Sequence, residues 1–253
     1  MPALETRGLT IRFGGHVAVN DVSCRFTPGT LTAIVGPNGA GKTTYFNLIS
    51  GQLKATSGQV IAGGEDITNL SPSARTRRGL GRAFQLTNLF PQLTALENVR
   101  LAVQSRADAG WSLFKVWNTR RDLIEQAESV LERVRLSDKR HIAPKALSHG
   151  DQRKLEVALL IAMEPKVFMF DEPTAGMSVD EVPTILELIQ EIKAEGSSTV
   201  LLVEHKMDVV RSLADRIIVL HNGQLVADGK PAEVIASPVV QEAYLGSFGE
   251  KAA

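Results

Sequence analysis

Short apolar runs, too brief for helices, recur along this chain and are separated by polar or glycine-rich loops. Leu31-Thr32-Ala33-Ile34-Val35 is apolar almost throughout, which predicts a strand buried on both faces. Val167-Phe168-Met169-Phe170 and Thr199-Val200-Leu201-Leu202-Val203 repeat the pattern. Helical segments lie between them, so a parallel sheet with crossover helices is the economical arrangement. Earlier, Leu9 to Phe13 and Val17 to Val19 read as short strands before the turn Thr27-Pro28-Gly29-Thr30, and Gln59 to Ala62 as another. Lys42 to Ser50 predicts a helix that stops at Gly51. Leu123, Ala127, Val130, Leu131 and Val134 recur at helical spacing with charges between them, so the stretch from about Thr87 to Lys145 predicts a small helical subdomain. Near the end, Arg216 to Leu220 and Gln224 to Val226 flank Asn222-Gly223, the pair that a tight primed hairpin turn requires.

Composition narrows this picture in three ways. Lys+Arg and Asp+Glu both number 28, and a balanced charge offers no broad field to hold nucleic acid. Cys24 stands alone, which excludes an intrachain disulfide and a cysteine metal cluster and suits a reducing compartment. Met1 to Leu9 lacks a basic run followed by an apolar run, so no signal peptide is expected. No apolar stretch reaches the roughly 18 residues that span a bilayer, so any membrane work must go through partner chains.

The chemistry concentrates in two places. Gly36-Pro37-Asn38-Gly39-Ala40-Gly41-Lys42-Thr43-Thr44 fits G-x-x-x-x-G-K-[ST] and lies between a predicted strand and a predicted helix. Glycines let backbone N–H groups close around phosphate oxygens, where a side chain would block the approach. The helix beginning near Lys42 aims its positive end at the anion. Lys42 supplies charge to the β- and γ-phosphates, and the Thr43 hydroxyl ligates Mg²⁺. The second place is the end of the strand Val167 to Phe170, where Asp171 and Glu172 follow directly. Beside a phosphate loop, Asp171 suits the Mg²⁺ shell and Glu172 suits a general base that polarises the attacking water.

These residues, in this order, resemble the ABC-transporter ATPase family over nearly the whole chain. The family's diagnostic Leu-Ser-Gly-Gly-Gln stands here as Leu147-Ser148-His149-Gly150-Asp151, with Ser148 and Gly150 retained and His149 and Asp151 departing. Ser148 and Asp151 also form a capping-box pattern ahead of a helix from Gln152 to Met163. The resemblance implies a P-loop core with a mostly parallel sheet, an N-terminal antiparallel β subdomain and an inserted helical subdomain. In residues, 1–86 would hold the β subdomain and phosphate loop, 87–147 the helical subdomain with the signature at its end, and 148–253 the rest of the core. It further implies that Phe13 stacks on adenine, that Gln85 senses Mg²⁺, that His205 contacts the γ-phosphate, and that Ser148 and Gly150 bind nucleotide. Ser178 stands where the family's D-loop carries Asp, and with Glu181 it suits a cap on the next helix.

Within the family, the likeness is greatest to the ATPases of branched-chain amino acid importers. Phe13-Gly14-Gly15, the loop from Gly36 to Asn47, Ala175-Gly176-Met177, Glu204-His205-Lys206-Met207 and Ala243-Tyr244-Leu245-Gly246 carry it. Relatives with this layout also serve urea, amides and other small solutes. The implied partners are a second, related but distinct ATPase subunit, integral-membrane permeases and, indirectly, an extracytoplasmic solute-binding protein. The implied place is the cytoplasmic face of the inner membrane, with ATP and Mg²⁺ as ligands and no nucleic acid. A soluble ABC ATPase working on DNA or ribosomes would usually carry a coiled-coil insert, two cassettes or basic patches, whereas this chain has one cassette, zero net charge and no sustained heptads between Gln85 and Leu147. An exporter subunit remains the third reading, which the importer-like details disfavour. One segment stands apart: Trp111, Phe114 and Trp117, spaced by three among Arg106, Lys115, Arg120 and Arg121, suit either a buried helix stripe or a docking face for the permease alongside Gln85 and Phe90-Pro91.

Overall fold

The first long strands, β1 (Leu4–Phe13) and β2 (His16–Phe26), run well beyond the short segments that strict alternation marks. Their pairing shifts register between Thr6 and Leu9 and again between Leu9 and Ile11. Each shift moves the next side chain to the other face, so the period-2 signal breaks while the ladder continues. The chain is described by a computed structural model over residues 2–83, 89–107 and 121–249. Its described residues form two units, one from Met1–Leu80, Lys166–Glu172 and Gln190–Ala253, the other from Gly81–Pro165 and Pro173–Ile189.

The elements follow in chain order. β3 (Leu31–Val35) leads into α1 (Lys42–Ser50); β4 (Ser57–Ala62) and β5 (Glu65–Asp66) precede α2 (Pro72–Arg77) and β6 (Leu80–Ala83). Then come α3 (Ala95–Arg106), α4 (Arg121–Arg133), α5 (His149–Ala162), β7 (Val167–Asp171) and α6 (Val182–Ala194). The chain closes with β8 (Thr199–Val203), α7 (Met207–Leu213), β9 (Arg216–His221), β10 (Gln224–Gly229), α8 (Pro231–Ile235) and α9 (Pro238–Gly249).

Two sheets result. The antiparallel one has the order β2-β1-β4-β5, and the mostly parallel one β10-β9-β3-β8-β7-β6. β3, β7 and β8 are buried at every residue, as their unbroken apolar runs require. Leu9, Val22, Tyr45, Phe46, Ile49 and Met169 belong to the core that joins the antiparallel sheet and α1 to one face of the parallel sheet. Ala33, Val35, Val210, Ile217, Val219 and Val234 form a second core on the opposite face, under α7 and α8. In the second unit, α3, α4 and α5 pack together through buried Val99, Val103, Leu123, Ala127, Leu131 and Leu155. α3 opens on a capping box, with Thr94 N–H donating to Glu97 Oε2 at 2.7 Å and Glu97 N–H to Thr94 Oγ1 at 3.2 Å.

The parallel register decides where chemistry gathers. Ile34 lies opposite both Val203 of β8 and Ile218 of β9, and Asp171 lies opposite Val203. The carboxyl ends of β3, β7 and β8 therefore share one edge, and the helix that follows β3 packs on one face of the sheet while the helix that follows β8 packs on the other. That switch point is where open α/β sheets hold ligands.

One side chain braces the helix behind this edge. Arg75 is almost fully buried, at 3% exposure. Its guanidinium donates to the carbonyls of Leu48 and Ile49, both at 2.6 Å, at the C-terminal end of α1, and to Thr68 at 2.6 Å and Leu70 at 3.2 Å. A cation there satisfies carbonyls that the helix leaves open and complements its negative end. Replacing Arg75 with Met leaves the buried Ile49 carbonyl without its side-chain donor and Leu48 with only the Gly51 N–H at 3.3 Å, an expected loss of about 3 kcal/mol. Thermal unfolding should show it as a fall of about 6–12 °C, and a melting temperature within about 1 °C of the parent would refute the bracing role.

Candidate functional site

The phosphate loop leaves β3 at Gly36 and enters α1 at Lys42. Gly36 has φ 149 and Gly41 φ 94, values that L side chains rarely adopt. A methyl on Gly36 would collide with the Leu220 carbonyl, and one on Gly41 would lie 2.5 Å from the Ala18 carbonyl. Asn38 and Gly39 are exposed at the tip, Pro37 is half-buried and Ala40 is buried. The hairpin turn holds the loop from outside: Gly223 N–H donates to the Ala40 carbonyl at 3.1 Å, and Asn20 N–H to Gly223 at 2.8 Å. Asn222 and Gly223 both have positive φ, 49 and 75, as a primed turn needs. The role of Ala18 and Gly223 as supports has no signature in their residue types.

Lys42 is 5% exposed and curls back, its Nζ donating to the carbonyls of Gly36 at 2.7 Å and Pro37 at 2.9 Å. Burial pushes its ammonium pKa down, against the opposing pull of Glu172 and Asp171. A desolvated cation whose hydrogen bonds go to neutral carbonyls is well prepared to move to a phosphate, which offers formal charge at contact. Thr43 is exposed and Thr44 half-buried in the first turn of α1.

At the end of β7, Asp171 is 3% exposed. Glu172 follows with φ 49, a strained value for a non-glycine residue, while its N–H still bonds to the Val203 carbonyl at 2.9 Å. The left-handed turn redirects its side chain off the strand, and its Oε1 lies 2.7 Å from His205 Nε2. Glu204, buried, accepts from the N–H groups of His205 at 2.9 Å and Lys206 at 3.3 Å, which orients the segment carrying the histidine. Phe13 ends β1 with half its surface exposed, outside the core.

In the second unit, Ser148 is the N-cap of α5, accepting from Asp151 N–H at 3.1 Å. The helix starts at His149, directly after this N-cap and three residues before the expected Gln152. The return arm also differs: Asp151 accepts from the Ser148 hydroxyl at 2.9 Å instead of from its backbone N–H. Gly150, in the first turn, is buried against the Glu181 carboxylate. Glu181 in turn accepts from the Ser178 hydroxyl at 3.0 Å, just ahead of α6, and Pro183 fits in that helix's first turn. Phe90, 56% exposed, lies before α3. Gln85 and the Trp111–Trp117 segment lie outside the described residues.

A glycine loop at the switch point, a lysine held in reserve and a carboxylate pair on a nearby strand end define a nucleotide-binding cassette of the phosphate-loop class. Comparison with known proteins gives its place within that class. Residues 19–175 match the ABC transporter family, and residues 224–249 match the branched-chain amino acid ATP-binding cassette transporter family. The high-affinity branched-chain amino acid transport ATP-binding protein BraF of Pseudomonas aeruginosa is 38% identical over 250 residues, covering 97% of this chain and 98% of that one. LivG of Escherichia coli, with the same description, is 36% identical over 250 residues with the same coverage. A crystal structure of an ATP-binding cassette of an ABC transporter in its ADP conformation superposes with TM-score 0.82 at 30% identity, covering 97% of this chain and 99% of that one. This chain belongs to the ABC transporter family of ATP-binding subunits.

Proposed function

We propose that this chain binds and hydrolyses ATP to energise an importer of branched-chain amino acids. The observation that carries the reading is the Glu172–His205 pair, at 2.7 Å, on the sheet edge that also bears the phosphate loop. The N–H groups of Gly36 to Gly41 receive the phosphates, and Lys42 gives up the Gly36 and Pro37 carbonyls for the β- and γ-phosphates. Phe13 stacks on the adenine. Glu172 takes the proton of a water as its oxygen attacks the γ-phosphorus; the bond to the bridging oxygen breaks and ADP leaves. His205 holds the Glu172 carboxylate in place and meets the γ-phosphate. Thr43, Asp171 and Gln85 would hold Mg²⁺, which neutralises phosphate charge when bound. A hydroxyl and a buried carboxylate beside a polyphosphate are the hard oxygen donors this ion takes.

Ser148 and Gly150, in the signature at the end of the helical region 87–147, close on ATP held by the phosphate loop of a second, related subunit. Among the described residues no helix is long and apolar enough to cross a membrane. Permease chains supply the path, an extracytoplasmic solute-binding protein delivers the amino acid, and this subunit sits on the cytoplasmic face of the inner membrane. The names of the relatives and the match at residues 224–249 support the solute class. Cells deleted for this chain should lose high-affinity uptake of labelled leucine, isoleucine and valine, regained on expression of the parent chain. Unchanged uptake with the protein recovered on ribosomes would overturn the reading. Loss of urea or amide uptake alone would reject the solute class.

A further inference from the structure

The signature segment contains a charge arrangement that the hydrolysis scheme leaves unused. Ser148 has one hydroxyl proton, and it is donated to Asp151 Oδ2 at 2.9 Å. A proton committed there is not available to a phosphate. Asp151 is 5% exposed, so a hydroxyl that turned away would strand part of a buried carboxylate beside an arriving anion. Two ammonium groups prevent this. Lys139 Nζ lies 2.6 Å from the same Oδ2, and Lys154 Nζ lies 3.1 Å from Oδ1. Burial alone would push the Asp151 carboxyl pKa up; the bonds from Lys139, Lys154 and Ser148 outweigh it and hold the value below the ordinary range.

We infer that Asp151 is a positioning residue for nucleotide capture and that Lys139 is the counter-charge that lets Ser148 turn its hydroxyl to the γ-phosphate. In the resting arrangement Asp151 orients the serine. When phosphate arrives the hydroxyl rotates, each carboxylate oxygen keeps one lysine, and the trio presents a net positive charge to the anion. Lys154, three residues along the same helix, comes with α5 itself. Lys139 ends the 3₁₀ turn Ser137–Lys139 and is the more exposed of the two, at 37% against 17%. It is therefore the separable part of the device. A neutral glutamine, the family's usual residue at position 151, would need no such partner.

The inference rests on the reading that Ser148 meets ATP, and the test separates the two. Steady-state ATPase is measured on the full chain with its companion subunit, alongside binding of ADP to the chain alone and thermal unfolding. Lys139→Met should raise the KM for ATP roughly three- to tenfold, with kcat changed less than twofold and ADP binding to the single chain unchanged. Lys139→Gln, which keeps a hydrogen bond but not the charge, should do the same and serves if the Met variant folds poorly. Asp151→Asn placed in the Lys139→Met chain should return the KM to within about twofold of the parent, because the stranded charge is gone. Lys139→Arg should behave as the parent. An unchanged KM in both neutral variants overturns the inference, as does a KM rise that Asp151→Asn leaves in place. Ser148→Arg is the control: if it remains active the parent reading fails, and if it is inactive while the lysine variants are normal, only the inference fails.

Discussion

Glu172→Gln should leave ATP bound and reduce its hydrolysis by about two to four orders of magnitude. The amide has nearly the shape of the carboxylate, so the left-handed backbone at φ 49 and the N–H bond to Val203 have no reason to change. It also still reaches His205, now 2.7 Å from the carboxylate oxygen. What the amide lacks is a basic oxygen to accept the water proton. Binding followed with a fluorescent nucleotide and phosphate release followed at saturating ATP separate the two effects. Steady-state hydrolysis within a few-fold of the parent would remove Glu172 from the general-base role. Lys42→Ala should show the opposite division, with nucleotide binding itself weakened, because the buried ammonium proposed to leave the Gly36 and Pro37 carbonyls for phosphate is gone.

Ser148→Arg should abolish ATPase activity while ATP binding to the single chain persists. The phosphate loop that binds in that assay lies in the first unit, whereas Ser148 heads α5 in the second. Arginine cannot cap the helix as the serine does, so Asp151 N–H loses its 3.1 Å acceptor, and a long side chain is placed where the proposed function has a second subunit close. Light scattering with ATP, in a Glu172→Gln background so that the nucleotide survives, reads the closure directly. It should be done with the companion subunit as well as without it. A Ser148→Arg chain that still dimerises and turns over ATP would show that the signature end of α5 does not face nucleotide.

Some of this molecule is legible residue by residue. β3, β8 and the helix Lys42–Ser50 lie where unbroken apolar runs and a glycine stop place them, and β7 extends its run by Asp171. These signals are strong because full burial on both faces leaves no polar position to confuse the pattern. The early strands are less legible, because their register shifts reset the alternation every few residues. α5 begins at His149 instead of Gln152 because Ser148 is its N-cap, which makes His149, Gly150 and Asp151 its first turn.

What the sequence determined by itself is the phosphate loop, the apolar strands that frame it, the acid pair at a strand end and the family to which they point, since each is written in neighbouring residues. Only the tertiary structure decided which distant groups meet. Glu172 and His205 are brought together by the parallel register of β7 and β8, Gly223 supports the phosphate loop from a hairpin far along the chain, and Arg75 is buried among carbonyls although its composition reads as surface charge. Lys139 finds Asp151 through the packing of the helical unit. The reason is the same in each case: a charged or small residue carries no periodic signal, and its partner is chosen by which unsatisfied group the fold buries beside it.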